Sequence, residues 1–181
     1  MTIDASRAET AQLVGSLLRD VPDFPEPGVL FKDITPLIGD GAALAAVARV
    51  MAEPYRDAGL TSVVGLEARG FIFGTAVALE LGVGFVPVRK AGKLPAQTVS
   101  LDYSLEYGTA TIEIHEDAVL AGGRVVVVDD VLATGGTAAA AVELLEQVGA
   151  EVVAVDVVVE LAALRGRERL EGREVTALLT V

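Results

Sequence analysis

The stretch Val125–Thr137, VVVVDDVLATGGT, decides the fold. Four consecutive β-branched valines, Val125 to Val128, fit a strand buried on both faces, as in a parallel sheet with helices on either side. The strand runs into two carboxylates, Asp129 and Asp130, which are costly to bury unpaired. A turn of small residues follows, Ala133-Thr134-Gly135-Gly136-Thr137, and then the helix-forming run Ala138 to Val148. Strand, acidic pair, glycine turn and helix in that order suit a phosphorylated sugar. Free backbone N–H groups and hydroxyls at a helix N-terminus cradle a phosphate, and the acidic pair accepts hydrogen bonds from vicinal hydroxyls or holds a hydrated metal.

Other readings of these residues fare worse. A phosphate-accepting receiver domain has its acidic pair near the N-terminus and an acceptor Asp on a later strand. Here the pair lies late, and the only Asp after it is Asp156, inside the apolar run Val152 to Val159. The chain holds neither a GxxxxGK[ST] string nor a GxGxxG string after a strand, so a P-loop and a dinucleotide fold are not supported. A tight turn with a capping Thr explains a bare Gly-Gly-Thr, but not the valine strand and both aspartates attached to it.

With 181 residues, 52% of them hydrophobic, the chain can bury one sizeable core, and a single domain over residues 1–181 is expected. The absence of cysteine excludes a disulfide framework and a thiolate metal site. Met1 to Thr10 carries Asp4 and Glu9 and lacks the apolar core of a signal peptide. Asp156 and Glu160 interrupt the long hydrophobic run near the C-terminus, which argues against a membrane span. A soluble cytoplasmic protein is expected. A net charge of −12 repels nucleic acid, and it would also repel a sugar diphosphate unless positive charge gathered where that ligand binds. The chain does gather it: the only lysines are Lys32, Lys90 and Lys93, with Arg89 beside the second, all in segments that read as loops.

Along the chain, Val14, Leu17, Leu18 and Val21 mark a helix over Asp4 to Val21. The proline-rich stretch Val21 to Gly41 reads as an ordered loop or short strands. Asp40 caps a helix with Leu44, Val47, Ala48 and Met51 on one face, which Pro54 shortens or kinks. Val63 to Leu66 reads as a strand, Phe71 to Leu81 as a helix and Gly84 to Val88 as a strand. From Arg89 to Ile114 the pattern lapses and then alternates, an excursion with β-hairpin character. Val125 to Asp129, the helix after Thr137, Val152 to Val159 and Glu174 to Thr180 complete the series. The expected fold is α/β, a mainly parallel doubly wound sheet flanked by helices, with ligands beyond the strands' C-terminal ends. The loops Glu67 to Gly70, Arg89 onward and Asp129 to Thr137 leave those ends. They also hold the unusual chemistry.

The thirteen-residue stretch resembles the phosphoribosyl-diphosphate (PRPP) motif of type I phosphoribosyltransferases. That resemblance implies that Asp129 and Asp130 bind the ribose 2′- and 3′-hydroxyls and that Ala133, Thr134, Gly135, Gly136 and Thr137 wrap the 5′-phosphate. Three further segments narrow the base: Gly65-Leu66-Glu67-Ala68-Arg69-Gly70-Phe71, Tyr103-Ser104-Leu105-Glu106-Tyr107-Gly108, and Phe24 to Pro36, FPEPGVLFKDITP. Together they resemble the adenine phosphoribosyltransferase family over roughly Asp23 to Leu170. The resemblance implies purine salvage: adenine and PRPP, with Mg²⁺ bound to the latter, give AMP and diphosphate.

It also implies roles for individual residues. Residues 21–40 form a hood over the base, with Phe31 stacking on adenine, backbone groups of Leu30 and Lys32 reading the purine edge, and Val131 on the other face. Arg69 contacts the diphosphate, joined by Arg89, Lys90 and Lys93. A flexible loop, residues 91–109, closes over the site and brings Glu106 and Tyr107 near the base, Glu106 as the candidate for proton handling. Mg²⁺ travels with PRPP and lies near Asp129 and Asp130. Lys32 stands where the family commonly has Arg, a change of little weight if the contact is through backbone.

Beside the resemblance stands a physical case. Adenine carries an amino donor where hypoxanthine and guanine carry an oxygen acceptor, so a hood presenting a backbone carbonyl would satisfy the first and repel the others. Asp33 and Asp40 serve turns and caps, and His115, in an alternating strand, is expected to be a surface or hydrogen-bonded residue. A homodimer is expected, and a dimer contact is a competing reading of the apolar residues of the hood. Two alternatives stay open: the same reaction on another base, or a non-catalytic regulator sensing PRPP or a nucleotide on nucleic acid. The hood and YSLEYG segments argue against the first, and the −12 charge against the second.

Overall fold

The structure, a computed structural model, describes residues 3–104 and 108–181. Its centre is a seven-stranded sheet of order β5-β6-β4-β3-β7-β8-β9. The strands are β3 (Ser62–Leu66), β4 (Gly84–Lys90), β5 (Thr98–Ser104), β6 (Thr109–His115), β7 (Arg124–Leu132), β8 (Glu151–Glu160) and β9 (Val175–Thr180). β4, β3, β7, β8 and β9 run parallel, whereas β5 and β6 form an antiparallel hairpin paired to the end of β4. The valines alternate between two cores. Val125 and Val127 pack with Ala141, Leu144 and Leu145 of α5 (Gly136–Gln147). Val126 and Val128 pack on the other face, with Val14 of α1 (Ile3–Leu17), Leu37 of α2 (Thr35–Gly39), Val47 of α3 (Gly41–Ala52) and Phe73 of α4 (Gly70–Leu81). Helices on both faces explain why the strand reads as an unbroken apolar run.

In the parallel part β4 follows β3 on one side, and β7 lies against β3 on the other. The strand order therefore reverses between β3 and β7, where the two outgoing loops diverge and leave a crevice at the C-terminal ends. The loops that open there are the ones carrying Arg69 and Ala133 to Thr137.

Several boundaries differ from the sequence reading. The first helix ends at Leu17, and Arg19–Pro22 forms a strand, β1, paired antiparallel with β2 (Leu30–Asp33). Apolar spacing at Leu18 and Val21 fits either period, and the ladder closed by an Arg19–Asp33 ion pair wins. β7 does not end at Asp129. Pairing continues to Val131–Val159 and Leu132–Glu160, so both aspartates lie inside the strand. Arg89 and Lys90 belong to β4, held opposite Glu113 and Ile112 of β6, rather than to a loop. Asp40 caps α3 as expected, accepting from the Ala42 and Ala43 N–H groups, and Pro54 lies in the 3₁₀ turn Glu53–Tyr55 that ends the helix run. Asp33 accepts from the Thr35 N–H and hydroxyl, and first the former, then Arg19, hold its carboxyl down to about 2. Among the described residues, no helix is long and apolar enough to cross a membrane.

Candidate active site

The acidic pair is the floor of the crevice. Asp130 is buried, and its Oδ2 accepts from Nε of Arg69, which reaches across from the β3–α4 turn and stays about half exposed. That turn holds a cis peptide between Glu67 and Ala68. The Arg69 guanidinium also lies 5.7 Å from the centroid of the Phe31 ring, within reach of a cation–π contact. One side chain thus touches both the acidic floor and the hood. Asp129 Oδ1 accepts from the Asp130 N–H at 2.8 Å. Burial, and after it the neighbouring Asp130 carboxylate, push the Asp129 pKa well above the usual carboxylate range. Of the two, Asp130 is paired with a guanidinium, and Asp129 is the one that a proton, a hydroxyl or a metal would neutralise.

Close packing leaves no freedom here. A Cβ on Gly70, at the start of α4, would stand 2.7 Å from Asp129 Oδ1 and 2.9 Å from the Val128 carbonyl oxygen. The helix can approach β7 so closely only because that atom is missing. The same holds at the glycine turn. Gly135 has φ +78°, a conformation that side chains disfavour, and a Cβ on it would overlap the Gly166 carbonyl oxygen. Gly166 in turn sits against the Ala133 carbonyl. Its 3₁₀ turn, Gly166–Leu170, is fastened to β8 by Arg167, whose Nε donates to both oxygens of the nearly buried Glu160 at 2.7 and 2.8 Å. Thr134 to Thr137 thus wrap a cavity of about 90 Å³ at the N-terminus of α5, reaching back to Asp129. Backbone N–H groups at a helix start around a space of that size make an anion cradle.

β4 and the turn after it carry Arg89, Lys90 and Lys93. Glu67 accepts from the Lys90 N–H at 2.9 Å and pairs with Arg89 at 3.3 Å; the N–H contact, outweighing some desolvation, lowers its pKa with help from Arg89. Arg89 also donates to the Lys93 carbonyl at 3.0 Å. Glu113 of β6 accepts from the N–H groups of Lys93 and Leu94 at 2.9 and 2.8 Å, pinning the turn that carries Lys93. His115 donates from Nε2 to the Pro95 carbonyl at 2.6 Å, the hydrogen-bonded role expected of it. Arg89 and Lys90 therefore line a small cavity together with Tyr103 and Thr137, and the backbone of Lys93 is tied to Arg89 beside them.

Beyond Arg69 opens a cavity of about 640 Å³, lined by Val29 to Lys32, Arg69, Val131, Ala133, Leu161, Ala163, Leu164 and Val181. Its walls are apolar apart from Lys32 and Arg69, and its size suits a ligand larger than a single ring. Phe31 is braced edge-on by Phe24, centroids 5.1 Å apart. Lys32 points its Nζ at Asp20, 2.6 Å away. Pro22 faces Leu30 in the β1–β2 ladder and has no N–H to give. Narrow and wide pairs alternate in an antiparallel ladder. With Pro22–Leu30 a non-bonded pair, Asp20–Lys32 is another, and the backbone groups of Leu30 and Lys32 turn to the open edge.

The structure thus brings together Asp129, Asp130, Arg69, the Ala133–Thr137 turn, Arg89, Lys90, Lys93 and the hood residues Leu30 to Lys32 with Val131. It adds a pairing the sequence did not suggest, Arg69 with Asp130. Glu106 and Tyr107 lie outside the described residues. Sequence reasoning missed Leu161, Ala163 and Leu164. They follow the C-terminal end of β8, and extending the strand-end rule to that fourth loop would have found them. It also missed Glu67, Glu113 and Gly166, which support the site from beneath.

Residues 38–176 match the phosphoribosyl transferase domain family. An adenine phosphoribosyltransferase of a Nocardioides species is 55% identical across 100% of both chains. The crystal structure of adenine phosphoribosyltransferase from Rhodothermus marinus superposes with a TM-score of 0.90 at 48% identity, covering 96% of this chain and 99% of the other. The Saccharomyces cerevisiae enzyme, complexed with an imino-altritol bisphosphate and adenine, gives a TM-score of 0.90 at 43% identity over 95% of this chain and 99% of its own.

Proposed function

Because this chain belongs to the adenine phosphoribosyltransferase family, we propose that its crevice holds PRPP and adenine end to end, from the glycine turn to the hood. The enzyme transfers the 5-phosphoribosyl group of PRPP to adenine, giving AMP and diphosphate, a step of purine salvage. One observation carries the assignment of the ends: the 90 Å³ cavity and the 640 Å³ cavity share Val131 and Ala133 as walls. A phosphate cradle and an apolar slot that meet at two residues fit a nucleotide.

In the reaction the anomeric C–O bond to diphosphate breaks, a C–N9 bond to adenine forms, and the N9 proton leaves. Positive charge develops on the ribose and negative charge on the diphosphate. Ala133 to Thr137 hold the 5′-phosphate, and Asp129 and Asp130 accept from the ribose hydroxyls. Arg69, with Arg89, Lys90 and Lys93, receives the diphosphate. Arg69 must exchange Asp130 for the diphosphate, which frees Asp130 for the sugar. Arrival of the anionic end therefore prepares the acidic floor, and moves the guanidinium from the Phe31 ring where adenine stacks. Phe31 and Val131 sandwich the base, and the open edge of β2 offers it the backbone of Leu30 and Lys32. Glu106, beside Tyr107 in the 91–109 loop, is the proposed acceptor of the N9 proton.

Among the described residues no three metal-ligating side chains converge. The adjacent carboxylates Asp129 and Asp130 fit Mg²⁺ that arrives on PRPP, since this ion takes one or two carboxylates together with substrate phosphates. Held by these carboxylates, the ion would supply positive charge to offset that on the diphosphate leaving group. We further propose a single domain with residues 21–40 as its hood, a homodimer, a cytoplasmic setting, and neither nucleic acid nor membrane as partner, in keeping with the −12 charge.

Diphosphate release from PRPP with adenine, hypoxanthine, guanine or orotate tests the reading. Adenine is expected to be used at least about a hundredfold more efficiently than hypoxanthine, the scale of a mispaired buried polar edge. Comparable rates on a 6-oxopurine would overturn the hood assignment. PRPP binding without turnover on any base would favour the regulator.

A further inference from the structure

Tyr103 and Thr137 are far apart in sequence, yet their hydroxyl oxygens lie 3.2 Å from each other. Tyr103 is the next-to-last residue of β5, opposite Ala110 of β6. Thr137 is the second residue of α5 and part of the glycine turn. Both are partly buried, and both line the small cavity below Arg89 and Lys90. A hydroxyl has one proton and two lone pairs, so Thr137 can donate to only one acceptor. The phenol is the more acidic of the two hydroxyls and the better donor. Thr137 can accept its proton and keep its own for another partner.

From this geometry we propose that Tyr103 is a positioning residue for the sugar 5′-phosphate: its hydroxyl donates to Thr137 Oγ1 and reserves the Thr137 proton for a phosphate oxygen. The proposal rests on reading the Ala133–Thr137 turn as the phosphate cradle. At 3.2 Å the contact is longer than the usual O–H···O bond. In the free protein it adds little. A phosphate accepting from Thr137 polarises that hydroxyl into a stronger acceptor, and the two bonds then reinforce each other. The hydroxyl of Tyr103 should accordingly matter for ligand affinity and not for the stability of the free protein.

The test compares Tyr103→Phe, Thr137→Val and the double variant, using ribose 5-phosphate and inorganic diphosphate as calorimetric probes beside steady-state kinetics. Tyr103→Phe should weaken ribose 5-phosphate and raise the KM for PRPP by about three- to tenfold, the scale of one net hydrogen bond. The KM for adenine, kcat, diphosphate affinity and ligand-free melting temperature should not move. Thr137→Val should lose at least as much, and the double variant no more than Thr137→Val alone, because the phenol acts only through that hydroxyl. Parent-like binding of ribose 5-phosphate by Tyr103→Phe, losses that multiply in the double variant, or a fall in melting temperature with equal losses for both substrates would overturn it. Failure of the parent to make AMP from PRPP and adenine would strike the reaction instead, since the hydroxyl pair is judged on ribose 5-phosphate binding.

Discussion

At the phosphate end of the crevice one stretch, from Asp129 to Ala138, supplies all of the wall but Val157, and Gly166 braces its turn from behind. At the base end the wall comes from Val29 to Lys32, Arg69, Val131 and Ala133, Leu161, Ala163, Leu164 and Val181, pieces spread over most of the chain. A phosphate held mainly by backbone needs several N–H groups converging on a small volume, which contiguous backbone in an unusual conformation provides. A purine ring needs flat apolar walls and a few polar groups at one edge, which side chains from any element can provide. The first design tolerates no added atom; the second should tolerate substitution in proportion to the surface removed.

The largest effect is expected where packing is tightest. Gly135→Ala must place a methyl group into the Gly166 carbonyl at a positive φ, and the turn has to open. Strain and lost N–H contacts of about 3 kcal/mol correspond to roughly a hundredfold loss in kcat/KM for PRPP. Gly166→Ala should act alike, because its methyl would meet the Ala133 carbonyl from the opposite side. Calorimetry with ribose 5-phosphate on folded variants checks this. Parent-like affinity in either would mean that the turn is not the phosphate wall.

A smaller loss, falling on the other substrate, is expected from Phe31→Ala. The ring lies on the two-stranded β1–β2 sheet, outside both cores, so its removal should leave the fold intact. Stacking on an aromatic is worth about 1–3 kcal/mol per base, so adenine should bind roughly ten- to a hundredfold more weakly, with ribose 5-phosphate unaffected. An equal loss for both ligands would show that the two ends are coupled through Arg69, which touches Phe31 and Asp130 at once.

The same contrast explains what the sequence disclosed. The valine strand, the acidic pair and the glycine turn are neighbours in sequence and in space, so their pattern could be read directly. So could the alternation of strands and helices and the cap at Asp40. The pairing of Arg69 with Asp130 spans 61 residues and depends on the β3–β7 register. No periodicity encodes it. Leu161, Ala163, Leu164 and Val181 look like ordinary apolar residues; they become a pocket wall only because β8 and β9 deliver them beside the hood. The resemblance supplied the hood's role, and the register of β1 and β2 supplies a physical reason for it.

The smallest effect is expected at Lys32, and it separates side-chain from backbone recognition of the base. Its ammonium is engaged with Asp20 at 2.6 Å, with 22% and 55% of the two side chains exposed. A pair this open is worth about 0–1 kcal/mol. Its backbone sits at a non-bonded ladder position because Pro22, two residues along β1 from the facing Asp20, cannot donate. Lys32→Ala removes the ammonium and leaves that backbone in place. The adenine-to-hypoxanthine efficiency ratio should therefore stay near the parent value, with at most a slight loss of thermal stability. Replacing Pro22 by Ala works on the backbone instead: it restores an N–H that can shift the β1–β2 register, and should erode the ratio more than Lys32→Ala does. Competition kinetics with the two bases decides between these outcomes. A ratio that collapses in Lys32→Ala while Pro22→Ala keeps it would assign recognition to the side chain and refute the open-edge account.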